Sequence, residues 1–144
     1  MPIQNRSKDY IFDIDRFLSC EGKTGAYLLY TVTRITSLLK KAECELPTAC
    51  DVSCELTATE RDLLLSILDS SEYFASAVAE RAPNYIAESA YKIATAFSAF
   101  YHENRVLGEE NEALRRNRIA LCVITKARLE ALTNLLGMNT VDAM

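Results

Sequence analysis

Apolar side chains recur at helical spacing through most of this chain. The clearest case runs from Pro83 to about His102. Pro83 suits the first turn of a helix, where a missing backbone N–H costs nothing. The segment predicts one long helix whose apolar face points to the core, because its hydrophobic positions step by four, three, four and three residues. These positions are Ile86, Ala90, Ile93, Phe97 and Phe100.

Two other segments carry the same signal together with recognisable ends. Thr24 suits the N-cap of a helix that runs to about Glu43. A final helix is predicted from about Glu109 to Leu136, with Gly137 as the residue that ends it. The apolar stripe of the first is Leu28, Ile35, Leu38, Leu39 and Ala42, and the inner face of the last is Ala120, Ile124, Ala127, Ala131 and Leu135, widened by Leu121 and Leu132.

The segment that follows residue 56 has a strong helix start and a weak middle. Thr57 and Glu60 have the spacing of a capping box, and Thr59 is an alternative cap. The polar run of residues 69–71 predicts an interruption, giving either two short helices or one bent helix that ends near Arg81. The expected inward face is formed by Leu63, Leu64, Ile67 and Leu68.

The chain as a whole is predicted to be all-α. A short amphipathic piece from Phe12 to Leu18 could add two helical turns, and no stretch alternates in the way a strand would. A length of 144 residues with 49% hydrophobic content suits a single domain. We therefore expect one domain over residues 1–144, a helical bundle of about five helices in which residues 24–144 form the bundle and residues 1–23 lead into it.

Charge and composition restrict the function classes. The formal net charge is −4, which argues against broad attraction to nucleic acid, so that any RNA contact must come from a local patch. No apolar run approaches the ~20 residues that span a bilayer, and the N-terminal residues lead into no signal-like segment. These features predict a cytoplasmic location and no membrane contact.

Candidate catalytic and metal-binding residues are sparse. The five cysteines are an odd number, which disfavours a disulfide framework. Cys44, Cys50 and Cys54 lack paired C-x-x-C spacing and His102 is the only histidine, so buried or loop thiols are favoured over a metal site. The chain has no Gly-rich phosphate loop or nucleophile elbow, and His102 has no evident catalytic partner. We predict no catalytic residue and no metal.

The first predicted helix carries a second face beside its apolar stripe. Tyr27, Tyr30, Arg34 and Lys41 fall in one narrow sector, about 100° from the stripe. Tyrosine rings and cations are the groups that bind unstacked RNA bases and their phosphates. Tyrosines at such positions also serve as boundary residues that bury the ring and leave the hydroxyl wet, and this interpretation stays open.

Three arginines near the start of the final helix stand where a cation opposes the helix dipole. Arg115, Arg116 and Arg118 occupy these positions. Such a placement is consistent with an unseen binding partner, although a solvated face is the commoner explanation.

Several separated stretches together resemble the C-terminal anticodon-binding domain of arginyl-tRNA synthetases. The first covers residues 5–19 and continues through Glu21-Gly22-Lys23-Thr24-Gly25-Ala26-Tyr27-Leu28-Leu29-Tyr30. The later ones are Phe100-Tyr101 with Val106-Leu107, Arg118-Ile119-Ala120-Leu121, Leu135-Leu136-Gly137-Met138 and a terminal Met144. The similarity covers nearly the whole chain, with the pieces in the family's order.

The resemblance implies a partner and a set of contacts. Tyr27 and Tyr30 would form a platform under the anticodon loop of arginine tRNA, Tyr101 would pack against a flipped base, and Met144 would close the pocket. Arg34 would pair with phosphate, and Arg105 could add positive charge, since Asp142-Ala143 replaces the family's usual Glu-Arg before the last methionine. DNA is not an expected partner.

The resemblance also implies that catalysis and anticodon binding belong to separate domains. The family's catalytic domain, which handles ATP with magnesium, would precede this segment, and its signature motifs are not found here. We therefore expect no cofactor in this chain and no aminoacylation by it alone. The alternative is a stand-alone helical module that uses the same aromatic surface to dock a protein.

Overall fold

A computed structural model gives the fold over residues 24–42, 45–47 and 55–139, with the isolated positions 9, 11, 14 and 49. Within these residues the chain forms four helices and no strand. The prediction of an all-α bundle is confirmed, with four described helices where about five were expected, because the predicted piece at 12–18 lies almost wholly outside the described residues. The helices are α1, Gly25–Lys41; α2, Ala58–Ala79; α3, Asn84–Glu103; and α4, Glu112–Leu135.

The helix ends follow local chemistry that the sequence made visible. The Thr24 hydroxyl accepts a hydrogen bond from the backbone N–H of Tyr27 at 3.2 Å, as an N-cap should. The backbone N–H of Thr57 donates to Glu60 Oε2 at 2.8 Å, and the N–H of Glu60 donates back to the Thr57 hydroxyl at 3.3 Å. Gly137 follows α4 with a φ of 74°, a conformation that favours glycine. Both predicted caps and the predicted stop are therefore confirmed.

The predicted break in α2 is absent, and the helix is continuous through residues 69–71. Ser70 is buried, and its hydroxyl donates to the carbonyl of Ile67 within the same helix. The carboxylate of Asp69 pairs with Lys92 of α3 at 2.7 Å. The polar side chains of Asp69 and Ser70 thus find partners while the backbone stays helical. Packing against α3 therefore outweighs the low helix propensity of this segment.

The core lies between the four helices, with α3 at its centre. Every residue of the stripe predicted for α3 is buried, and Phe97 and Phe100 are fully so. Helix α2 packs antiparallel along α3, as shown by the bond from Asn104 at the end of α3 to Thr59 at the start of α2. Helix α1 packs mainly on α4 and meets α3 along one edge. None of the helices described is both long and apolar enough to cross a membrane.

In two helices the buried face is rotated about the helix axis relative to the predicted inward face. In α2, Leu63 and Ile67 are buried, but Leu68 is 68% exposed. In α4, Thr125 and Thr133 are fully buried. Each hydroxyl is satisfied within the helix, because it donates to a carbonyl one turn back at 2.7 and 2.9 Å. The stripe predicted from apolar residues alone missed these threonines. Of that stripe, Ala127, Ala131 and Leu135 are exposed, while Ala120, Leu121 and Leu132 are buried.

Removal of the α2 cap should have a modest, local cost. Thr57→Ala is expected to lower the free energy of unfolding by about 1 kcal/mol, since the N–H of Glu60 loses its acceptor. Urea unfolding followed by circular dichroism measures the change. Thr59→Ala is the matched control, because Thr59 does not cap the helix. An equal loss in both variants would assign the effect to the hydrogen bonds with Asn104 rather than to the cap.

Candidate functional site

Helices α1 and α3 bring together aromatic side chains from distant parts of the chain. The ring of Tyr27, near the start of α1, lies 5.7 Å from the ring of Tyr91 in α3. Two turns further along α1, the guanidinium of Arg34 lies over the ring of Tyr101, near the end of α3. The contacts advance in the same direction along both helices, so the two helices run parallel along one edge and share a surface.

Tyr27 is anchored at this edge rather than freely presented. Its side chain is half-buried, and its hydroxyl pairs with the Ser98 hydroxyl at 3.2 Å and donates to the Ala94 carbonyl at 3.5 Å. The hydroxyl therefore has partners inside the protein, in contrast to a boundary tyrosine whose hydroxyl stays wet. This anchoring fixes the ring position and leaves only part of the ring for an external contact.

Tyr30 is more exposed to solvent than Tyr27. It is 47% exposed and lies one turn from Tyr27 and one turn from Arg34 on α1. A half-exposed ring at this place in the helix can offer its surface to a planar ligand without rearranging the core. Of the two tyrosines on α1, Tyr30 is the one open to solvent.

Tyr101 is held from two sides. Its half-buried ring stacks on the fully buried Phe97, with centroids 6.0 Å apart and planes at 23°. The exposed Arg34 places its guanidinium carbon 4.5 Å from the centroid of the Tyr101 ring. Such cation–π contacts contribute about 0.5–1 kcal/mol at exposed sites. The three side chains thus form one stack that runs from the core to the surface, which we call the Arg34–Tyr101 stack.

A local positive patch accompanies these rings. Helix α1 contains Arg34, Lys40 and Lys41 and not one aspartate or glutamate. Arg34 and Lys41 lie in the helix sector of the tyrosines, whereas Lys40 lines a pocket against α4 that also contains Glu130. All three cations are exposed, and none forms an ion pair with any residue in the described ranges. This helix is cationic although the whole chain has a net charge of −4. Exposed cations without a carboxylate partner give this helix a local positive charge, which is the property that attracts phosphates.

Of the two remaining site residues predicted from the sequence, Arg105 and Met144, the structure describes Arg105. Arg105 is exposed and lies in the connection between α3 and α4, because α3 ends at Glu103. Its side chain makes no hydrogen bond or ion pair with the described residues, and its carbonyl accepts a bond from Arg118. Met144 falls outside the described residues, so its place in the site stays a prediction.

Arg118 has a role that the sequence did not reveal. It is 9% exposed, and its Nε donates to Glu60 Oε1 at 2.7 Å across the bundle. Its Nη1 donates to Glu109 and to the Arg105 carbonyl. The pKa of Glu109 is held below its usual range, mainly because its carboxylate accepts a hydrogen bond from the backbone N–H of Asn111. The positive charge of Arg118 lowers this pKa further. The partners of this arginine are therefore internal, and they fix the connection that follows Tyr101.

The histidine and the described cysteine form no assembled catalytic or metal site among the described residues. His102 is exposed in the last turn of α3, as expected for a helix-end histidine. Burial raises the pKa of the Cys122 thiol to about 12, so this thiol is neutral at physiological pH. Cys44, Cys50 and Cys54 lie outside the described residues, as does Cys20. In the part of the chain that is described, no three His, Cys, Asp or Glu side chains come together as metal ligands would.

Comparison with known proteins adds a consistent result. The family model of the DALR anticodon binding domain matches residues 28–144. An arginine–tRNA ligase from Agathobacter rectalis is 43% identical over 145 residues, which covers 96% of this chain and 24% of the relative. One from Maricaulis maris is 38% identical over 143 residues, or 99% of this chain and 24% of the relative.

Solved structures show the same likeness. An arginyl-tRNA synthetase from Plasmodium falciparum superposes with a TM-score of 0.86 at 30% identity, covering 99% of this chain and 25% of that protein. The synthetase from Thermus thermophilus gives a TM-score of 0.79 at 34% identity over 88% of this chain and 22% of that one. The present chain thus spans 24% of the length of the two curated relatives above.

Proposed function

Because this chain belongs to the DALR anticodon binding domain family, we propose that it binds the anticodon loop of arginine tRNA on the shared surface of α1 and α3. The observation that carries the proposal is the Arg34–Tyr101 stack, which joins a cation of α1 to aromatic rings of α3. Single-stranded RNA loops are bound by the same combination of aromatic faces and cations.

Each residue of the surface has a distinct part in this proposal. Tyr30 and Tyr101 provide the stacking surfaces for unstacked loop bases, each contact contributing about 1–3 kcal/mol. Tyr27, anchored on Ser98, supports the platform from below. Arg34 and Arg105 provide positive charge near the loop, and Met144 would complete the pocket from the C-terminal end.

The proposed role in the cell is to supply tRNA recognition for the attachment of arginine to its tRNA. The relatives are arginine–tRNA ligases about four times as long as this chain, since it covers 24% of each. ATP and magnesium belong, in this proposal, to a catalytic domain of the same polypeptide, and a protein with this role would work in the cytoplasm. The alternative of a protein-docking module without RNA binding is not favoured, because the matched family is one of anticodon binding.

A binding titration tests this function directly. The chain is titrated into fluorescently labelled arginine tRNA and, in parallel, into a tRNA for another amino acid with a different anticodon. We expect tighter binding to arginine tRNA and a loss of affinity as salt rises, because Lys and Arg contacts to phosphate release counterions. Equal affinity for both tRNAs, or no binding to either, would refute the proposal.

A further inference from the structure

The Arg34–Tyr101 stack limits how a base can reach Tyr101. Phe97 is fully buried and contacts the Tyr101 ring from the core, while Arg34 is exposed and covers the ring from the solvent. The guanidinium carbon is 4.5 Å from the ring centroid. A base that stacked directly on Tyr101 would have to displace this guanidinium. The alternative is that the base stacks on the guanidinium itself.

We propose that Arg34 is a stacking residue for the RNA, so that an anticodon-loop base extends the column formed by Phe97, Tyr101 and the Arg34 guanidinium. This inference rests on the proposed function and changes two roles within it. Arg34 becomes a stacking layer, and Tyr101 supports the base through the Arg34 guanidinium instead of contacting the base directly. The resemblance assigned Arg34 to a phosphate. In the structure the guanidinium lies over the Tyr101 ring, and the Arg34 side chain is exposed to solvent.

The chemistry of the side chain supports this role. A guanidinium is planar and weakly hydrated, and it stacks on aromatic rings and on RNA bases. A lysine ammonium is a compact, strongly hydrated point charge and cannot form such a layer. The cation of Arg34 also has no carboxylate partner among the described residues that would pull it off the Tyr101 ring. The column therefore exists before RNA binds, and less ordering is required on binding.

The roles of phosphate partner and stacking layer give different results when Arg34 is replaced. The experiment compares wild type, Arg34→Lys and Arg34→Gln in titrations with a fluorescent anticodon stem-loop of arginine tRNA over a range of salt concentrations. Arg61→Lys is the matched control, since Arg61 is an exposed arginine on α2, which is not one of the two helices that form the proposed surface. Thermal unfolding of each variant checks that the fold is intact.

If Arg34 stacks, Arg34→Lys keeps the charge but loses the layer, and its affinity should fall at least about fivefold, close to that of Arg34→Gln. If Arg34 only pairs with phosphate, Arg34→Lys should bind within about twofold of wild type, while Arg34→Gln should lower the slope of log affinity against log salt by about 0.7. That second pattern, or no effect of either substitution, would overturn the inference.

The same titrations separate this inference from the proposed function. If wild type fails to prefer the arginine stem-loop over an unrelated one, the proposed function fails and the inference fails with it. If wild type binds with the expected preference and Arg34→Lys matches it, only the stacking role of Arg34 is wrong.

Discussion

Replacement of Tyr101 by alanine is expected to weaken the binding of arginine tRNA at least about tenfold, which is within the range for loss of one stacking layer. The ring is the centre of the Arg34–Tyr101 stack, with Phe97 on the core side and Arg34 on the solvent side. Its removal leaves the Arg34 guanidinium without an aromatic face to lie on. The loss of affinity should therefore have two sources: the missing ring and the less ordered Arg34 side chain.

Tyr101→Phe is the matched control for this prediction. The Tyr101 hydroxyl has no hydrogen-bond partner among the described residues, so the phenylalanine variant keeps the ring and both of its contacts. We expect it to bind arginine tRNA within about twofold of wild type, as the stacking energy resides in the ring face. The affinity is measured by fluorescence titration, and circular dichroism confirms that each variant is folded. A folded Tyr101→Ala variant with wild-type affinity would remove Tyr101 from the site.

Replacement of Arg118 by methionine is expected to lower the free energy of unfolding by about 3–5 kcal/mol, the usual cost of breaking a buried ion pair. The substitution preserves much of the side-chain volume but leaves Glu60, which is 3% exposed, without its charged partner. It also releases Glu109 and the Arg105 carbonyl, which hold the α3–α4 connection. The substitution should also affect the proposed RNA-binding surface, since this connection begins just after Tyr101.

Urea unfolding followed by circular dichroism measures this loss. Arg116→Met is the control, because Arg116 is exposed on the same helix turn and makes no ion pair with the described residues, and its change should be under about 0.5 kcal/mol. Adding Glu60→Gln to Arg118→Met removes the orphaned charge and should restore part of the stability. A loss below about 1 kcal/mol in the single variant would show that the buried pair contributes little to the fold.

The candidate site could be predicted only in part from the residues themselves. Tyr27, Tyr30 and Arg34 share a sector of one helix, and helical periodicity alone places them together. Tyr101 is about seventy positions further along the chain, and only the resemblance associated it with them. The contact of Arg34 with the Tyr101 ring depends on tertiary packing and could not be predicted from the sequence. Periodicity within one helix does not show which neighbouring helix packs against its second face.

The sequence by itself determined the helical class, the caps at Thr24 and Thr57, the stop at Gly137 and the buried stripe of α3. These features depend on interactions within about one helical turn or on a repeat of fixed period, both of which can be read along the chain. The tertiary structure alone decided the continuity of α2, the rotated face of α4 and the internal partners of Arg118. Those depend on packing and on charges that meet across the bundle. Glu60 shows the division within one side chain: its Oε2 completes a local cap visible in the sequence, while its Oε1 binds an arginine from a different helix.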